Sequence, residues 1–203
     1  MRVLNLLFGV CLCCSPSLGA QAAGCSSSAT ESAQAKRERN LKMPAIVKSL
    51  ELKQGSKVAD IGAGDGYYDV AMSRAVGPEG RVYAEDISSG AIKRLRQRVK
   101  ENHLRNVNVI QGVADDPKLP ADLDAVLMVI TYHEIPDHEK MLKYVLAALR
   151  HGGRFVVVDM TPNKTQSRPR ADQVKNHVIA PDLAEAEIRK AGFGVLFARR
   201  PFH

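Results

Sequence analysis

Apolar residues run along this chain in two alternating rhythms. Short stretches where they are nearly continuous, or fall at every second position, predict strands at 57–61, 81–85, 107–110, 123–130, 154–159 and 193–198. Between them, apolar residues three and four apart predict helices at 67–76, 137–149 and 181–191. In 137–149, Met141, Leu142, Val145, Leu146 and Leu149 share one face. Gly77-Pro-Glu-Gly80 marks a turn, and His151-Gly-Gly153 and Gly192 stop helices. The run Leu123-Asp-Ala-Val-Leu-Met-Val-Ile130 is apolar enough for a strand buried on both faces. Strands separated by helix-length segments predict an α/β fold, a doubly wound and mostly parallel Rossmann-like sheet.

Candidate chemistry collects where the predicted strands end. The strand at 57–61 runs through Asp60 into Gly62-Ala-Gly64-Asp-Gly66, and a helix follows at once. Such a turn lets a ligand lie against main-chain N–H groups at a helix start. The spacing departs from the dinucleotide pattern G-x-G-x-x-G, because the third glycine comes one residue early and Tyr67 stands in its place. The strand at 81–85 leads to Glu85-Asp86, about one βαβ step further on, where a carboxylate can accept from both ribose hydroxyls. Asp86 is the better placed, since Glu85 points to the opposite side of an extended chain. After the strand at 107–110 comes Gly112-Val-Ala-Asp-Asp-Pro, read either as a ligand loop through Asp115 or Asp116, or as a turn built by Asp-Pro. The apolar strand at 123–130 opens into Thr131-Tyr-His-Glu-Ile-Pro136.

Taken in order, these segments resemble the motifs of class I S-adenosyl-L-methionine (SAM) dependent methyltransferases over 41–203. The resemblance implies SAM as cofactor. Asp60, Gly62, Gly64 and Gly66 would shape its methionine end, Asp86 and Ile87 its ribose side, and Asp115 or Asp116 its adenine. Thr131, Tyr132, His133 and Glu134 would line the transfer pocket, the last three as candidate catalytic groups facing a small-molecule acceptor. His and Glu can move protons there, although methyl transfer from a sulfonium depends more on positioning. His177-Val-Ile-Ala-Pro181 resembles the family's entry to its last helix and puts His177 at the pocket rim. One departure stands out: the family closes its sheet with two strands, the last antiparallel, and this chain has room for one. The missing strand would leave a hydrophobic edge that a second copy or another partner covers.

The remaining features bound the reading. A polar, basic loop is expected at 161–176, where Arg168 and Arg170 either hold an anionic substrate or stand in solvent. The net charge of +7 is concentrated in Lys93, Arg94, Arg96, Arg98, Lys100 and Arg105, read as a solvated helix face and not a nucleic-acid site. There is no Cys/His ligand cluster in sequence, so no metal is expected, and no G-x-S-x-G elbow. Met1-Arg2, an apolar core at 3–14 and small residues up to Gly24 have the form of a secretory signal at 1–24. Ala20-Gln-Ala22 is one cleavage pattern. Ala22-Ala-Gly-Cys25 is another, resembling a lipobox with Cys25 as lipid anchor, followed by a tether to residue 40. Either implies export, periplasmic or membrane-anchored, whereas SAM is a cytoplasmic cofactor. Two further readings follow: an exported, non-catalytic binding protein on the same scaffold, and a nicotinamide-dependent oxidoreductase, which the glycine spacing opposes.

Overall fold

A computed structural model of the chain describes residues 3–10, 43–162 and 169–199. Its elements are β1 (Val3–Val10), α1 (43–49), β2 (Lys57–Ile61), α2 (Tyr67–Val76), β3 (Arg81–Asp86), α3 (Ser89–Glu101), β4 (Val107–Gln111) and β5 (Leu123–Val129). A 3-10 turn (Tyr132–Glu134), α4 (His138–Ala148), β6 (Leu149–Thr161), α5 (Arg170–Lys175), α6 (Pro181–Lys190) and β7 (Gly194–Arg199) follow. The strands form one sheet in the order β4-β3-β2-β5-β6-β1-β7, and every neighbouring pair is parallel. Strand order reverses between β2 and β5, and an open α/β sheet builds its ligand crevice outside the strand carboxyl ends at such a point.

Local sequence sets the ends of the helices. The Ser88 side chain accepts from the Ala91 N–H at the start of α3, and Asp137 does the same for Lys140 at the start of α4. Pro181 occupies the first turn of α6, where a missing N–H costs nothing. Alternation along the strands then feeds two cores. Val126 and Met128 of β5 pack with Phe155, Val157, Met141, Leu142 and Ile188 on the α4/α6 side. Ala125 and Leu127 of β5 pack with Val58, Met72, Ile92 and Leu95 on the α2/α3 side. Both faces are covered, so the sheet buries apolar residues continuously, as a parallel sheet requires.

Two expectations change. The first concerns the far side of β6. No antiparallel strand joins the sheet among the described residues, yet β6 is not left open. Residues Val3–Val10, read as the core of a signal, pair with β6 from Val3↔Arg154 to Val10↔Thr161, and with β7 from Val3↔Gly194 to Leu7↔Arg199. This removes the reason for a second copy to cover that edge. The second concerns the loop at 161–176, which contains helix α5. Cys25, the cleavage sites, the tether and Arg168 lie outside the described residues.

Candidate functional site

The glycine turn is held from both sides. Gly62, Gly64 and Gly66 have φ of 73°, 62° and 80°. A Cβ at Gly62 would lie 2.3 Å from Thr131 Oγ1, so the close approach of the β5 end to the β2 end demands glycine. A Cβ at Gly64 would meet nothing within 4 Å. The Gly64 N–H donates to Asp86 Oδ2 at 3.0 Å, and the Ser88 N–H to Asp86 Oδ1 at 2.8 Å. Arg98 reaches back from α3 to donate to the Asp65 carboxylate and carbonyl, both at 2.5 Å. Arg98 therefore latches the turn and leaves the solvated face assigned to it.

Buried carboxyl groups surround this turn. Glu85 and Asp86 both line a cleft of about 280 Å³ at the strand ends. Asp60, Asp69 and Glu85 are almost fully buried. Both Asp69 carboxylate oxygens, Asp60 Oδ2 and Glu85 Oε1 have no hydrogen-bond partner. Burial, then the charges of Asp69, Glu85 and Asp86, push the Asp60 carboxyl well above its usual range. Burial raises Asp69 to about 7 and Glu85 to about 7, against the N–H groups of Gly62 and Gly112 that favour the charged form of Glu85. Such groups are costly unless a cation arrives to match them, and SAM carries two positive centres, a sulfonium and an ammonium. Of these three acids Glu85 lines the cleft, beside Asp86, and that pair fits a cationic cofactor. Glu85 points away from Asp86, as strand alternation demands, yet it still lines the cleft because β3 ends there. Sequence reasoning passed over it, and over Asp69, because neither burial nor isolation shows in a motif.

At the other end of the cleft, Ile87, Ala114, Ile130 and Met141 form an apolar wall. Asp115 is not in that wall: it pairs with Lys140 at 2.7 Å on the surface. Asp116 accepts the Lys118 N–H at 2.8 Å and closes a bridge with Val113. Neither acid lines the cleft, where this loop contributes Ala114.

The segment after β5 also lines the cleft, through Ile130, Thr131 and Glu134. Ile130 adopts a φ of 54°, rare for a β-branched residue, and turns the chain so that Thr131 meets Gly62. Tyr132 is a correction. It is fully buried, its hydroxyl donates to Glu187 Oε2 at 2.8 Å, and it therefore faces the core. Arg170 Nη1 donates to the same oxygen at 2.7 Å, its Nη2 to the Tyr132 carbonyl at 3.2 Å, and its guanidinium lies 5.1 Å from the Tyr132 ring centroid. Arg170 is a strut, neither a solvated loop residue nor free to hold an anion.

His133 is also buried, but its ring is aimed. Asp159 Oδ2 accepts the His133 N–H at 2.9 Å, and Oδ1 lies 2.6 Å from Nδ1. With the carboxylate facing Nδ1, Nε2 lies on the opposite side of the ring, towards Glu134. Burial lowers the His133 pKa, but the bond to Asp159 and the charges of Asp159 and Glu134 more than offset this, and the net direction is up. Nε2 lies 3.7 Å from Glu134 Oε1, and His177 Nδ1 lies 3.9 Å from that oxygen. The His133 and His177 rings meet edge to face with centroids 5.8 Å apart. Glu134 belongs to this cluster and to the cleft wall. Asp159 was missed because it reads as an ordinary strand residue.

A family model described as a methyltransferase domain matches residues 52–192. Among curated proteins, the chain is 31% identical over 114 residues to a demethylmenaquinone methyltransferase of Geobacillus sp. (strain WCH70), covering 56% of this chain and 49% of that one. It is 33% identical over 117 residues to the enzyme of that name from Staphylococcus carnosus (strain TM300), covering 56% and 47%. The chain thus spans about half the length of these relatives. In fold it is similar to a SAM dependent methyltransferase from Aquifex aeolicus, with a TM-score of 0.64, 22% identity, and 77% and 87% of the two chains covered. It is also similar to Haemonchus contortus phosphoethanolamine N-methyltransferase 2 in complex with SAM, with a TM-score of 0.62, 22% identity, and 75% and 36% covered.

Proposed function

We propose, from the premise that this chain belongs to the class I SAM-dependent methyltransferase family, that it moves a methyl group from SAM to a small-molecule acceptor. The observation that carries the reading is the ring of unmatched buried carboxyls around the glycine turn, at the point where the sheet order reverses. Glu85 would answer the positive charge of the cofactor from the cleft wall, with Asp60 and Asp69 adding negative field from behind the glycine turn. Asp86 would take the ribose, and Ile87, Ala114 and Met141 the base. When bound, SAM supplies an electrophilic methyl group on a positively charged sulfur. The chain contributes position: the Ile130 bend and the Thr131–Gly62 contact fix the acceptor-side wall, and Glu134, His133 and His177 face what enters there.

Calorimetric titration of SAM and S-adenosylhomocysteine into the full chain tests this. Micromolar binding, weakened in Asp86→Asn, is the expected result. A folded chain that binds neither ligand would sink the reading and leave a non-catalytic scaffold.

We infer where the protein works from its N-terminal segment, whose place in the sheet and whose reading as a cleaved signal exclude each other. A chain that keeps residues 3–10 between β6 and β7 stays whole, in the compartment that holds SAM, and we assign the active form to that state. Its mature N-terminus, read by mass spectrometry from cells, is expected at Met1 or Arg2. A chain found only as a form starting at Ala23 or Cys25 would reverse the assignment.

A further inference from the structure

The fold brings together three metal-capable side chains that the sequence keeps apart. His133 and Glu134 sit on the 3-10 turn after β5, and His177 follows α5. One ligand atom from each lies within 4.8 Å of the other two. We infer that His133, Glu134 and His177 form a binding site for a divalent transition-metal ion at the acceptor end of the cleft.

Three observations support the site. The His133 ring is oriented as a ligand: Asp159 Oδ1 lies 2.6 Å from Nδ1, and Nε2 lies on the cluster side, 3.7 Å from Glu134 Oε1. Carboxylate support behind a histidine is the usual second partner of a metal-bound imidazole. Spacing is the next point. Two ligands about 2.1 Å from a shared ion stand roughly 3.4 Å apart in tetrahedral geometry. The separations to Glu134 Oε1 are 3.7 and 3.9 Å and all three ligand atoms lie within 4.8 Å of one another, so binding draws the two exposed side chains, Glu134 and His177, inward. The last is charge. Glu134 and Asp159 together balance a doubly charged ion, and the nearby Arg170 is already paired with Glu187.

The donor set defines the ion and, through it, the acceptor. Two imidazoles and one carboxylate, without thiolate, suit zinc, cobalt, iron or manganese and leave coordination positions open. Glu134 is shared with the cleft wall, so those positions take oxygen donors of whatever occupies the cleft. The acceptor class is then a small molecule with an ionisable hydroxyl next to a second oxygen, a catechol or a hydroxy acid. The ion acidifies the hydroxyl, and its proton passes to solvent. The oxygen forms the new bond to carbon as the carbon–sulfur bond breaks, and the electron pair stays on sulfur, leaving a neutral thioether.

The acceptor class rests on the methyl-transfer reading; the ion site does not, and the test separates them. The full chain, its cysteines alkylated, is titrated with Zn²⁺ by calorimetry and with Co²⁺ by visible absorption, in the absence of SAM. A single saturable ion per chain is expected. Affinity should fall by about tenfold or more in His177→Ala and Glu134→Gln, both at exposed positions, and by roughly 10–100-fold in Asp159→Asn. His103→Ala, remote from the cluster, should bind as the wild type does. No saturable binding, or wild-type affinity in His177→Ala, overturns the site. SAM binding without ion binding would discard the site and leave the transferase reading in place; ion binding without SAM binding would do the reverse.

Discussion

Ile130 shows how one residue carries both strain and shape. A β-branched side chain at positive φ costs on the order of 1–3 kcal/mol, and here it forms part of the apolar wall of the cleft. Ile130→Gly should therefore raise stability by about 1 kcal/mol while weakening SAM binding, read by thermal melts and calorimetry on the same samples. Stability rising with unchanged affinity would mean that the strain serves no ligand. Glu85 gives a pH-dependent counterpart. Its carboxyl titrates near 4.5 when unfolded and about 7 when folded. The folded state then binds the extra proton between those values, so this group's stabilisation is full below 4.5 and lost as pH rises through about 7. Glu85→Gln should be more stable than wild type at pH 8 by roughly 1–3 kcal/mol and equal to it near pH 4. A gap that does not change between the two pH values would reject the raised pKa.

The elements explain why some assignments could be read in advance and others could not. Strand β3 and the glycine turn are set by local spacing, so the meeting of Asp86 with the glycine turn was legible in the sequence. Tyr132, His133 and Glu134 are adjacent in the chain, yet a single 3-10 turn sends the first into the core, the second towards Asp159 and the third to the cleft. No spacing rule separates them, because a three-residue turn has no repeating face. Asp159 and Glu187 act through β6 and α6, and only the packed sheet brings them to that turn. The role given to Tyr132 has a direct check. Tyr132→Phe removes one hydrogen bond from a partly buried Glu187–Arg170 pair and should cost about 1 kcal/mol. Methyl transfer, measured per folded molecule, should be unchanged; a large fall in turnover would return the tyrosine to the reacting groups.

For the molecule as a whole, the doubly wound architecture was plain in the sequence, because apolar runs and helical spacing alternate from 57 to 198. The sheet's closing strand was not. An apolar stretch behind a basic N-terminus has the form of a signal regardless of where the folded chain would put it, and pairing with β6 and β7 depends on residues at the far end. A chain starting at Ser26 should lose thermal stability and bind a dye that reports exposed apolar surface. A synthetic peptide of residues 2–11, added in trans, should restore the melt. If the shortened chain melts like the full one, β1 is dispensable to the sheet.

That placement also sets a clock. Val3 pairs with Gly194, roughly 190 residues further along the chain. Contacts so remote in sequence form slowly, since the closure entropy must be met before they form. Residues 3–10 cannot take their place in the sheet until β7 has been made. If a translocation machinery recognises the segment, capture and closure compete, and the outcome is a kinetic partition set by the delay between them.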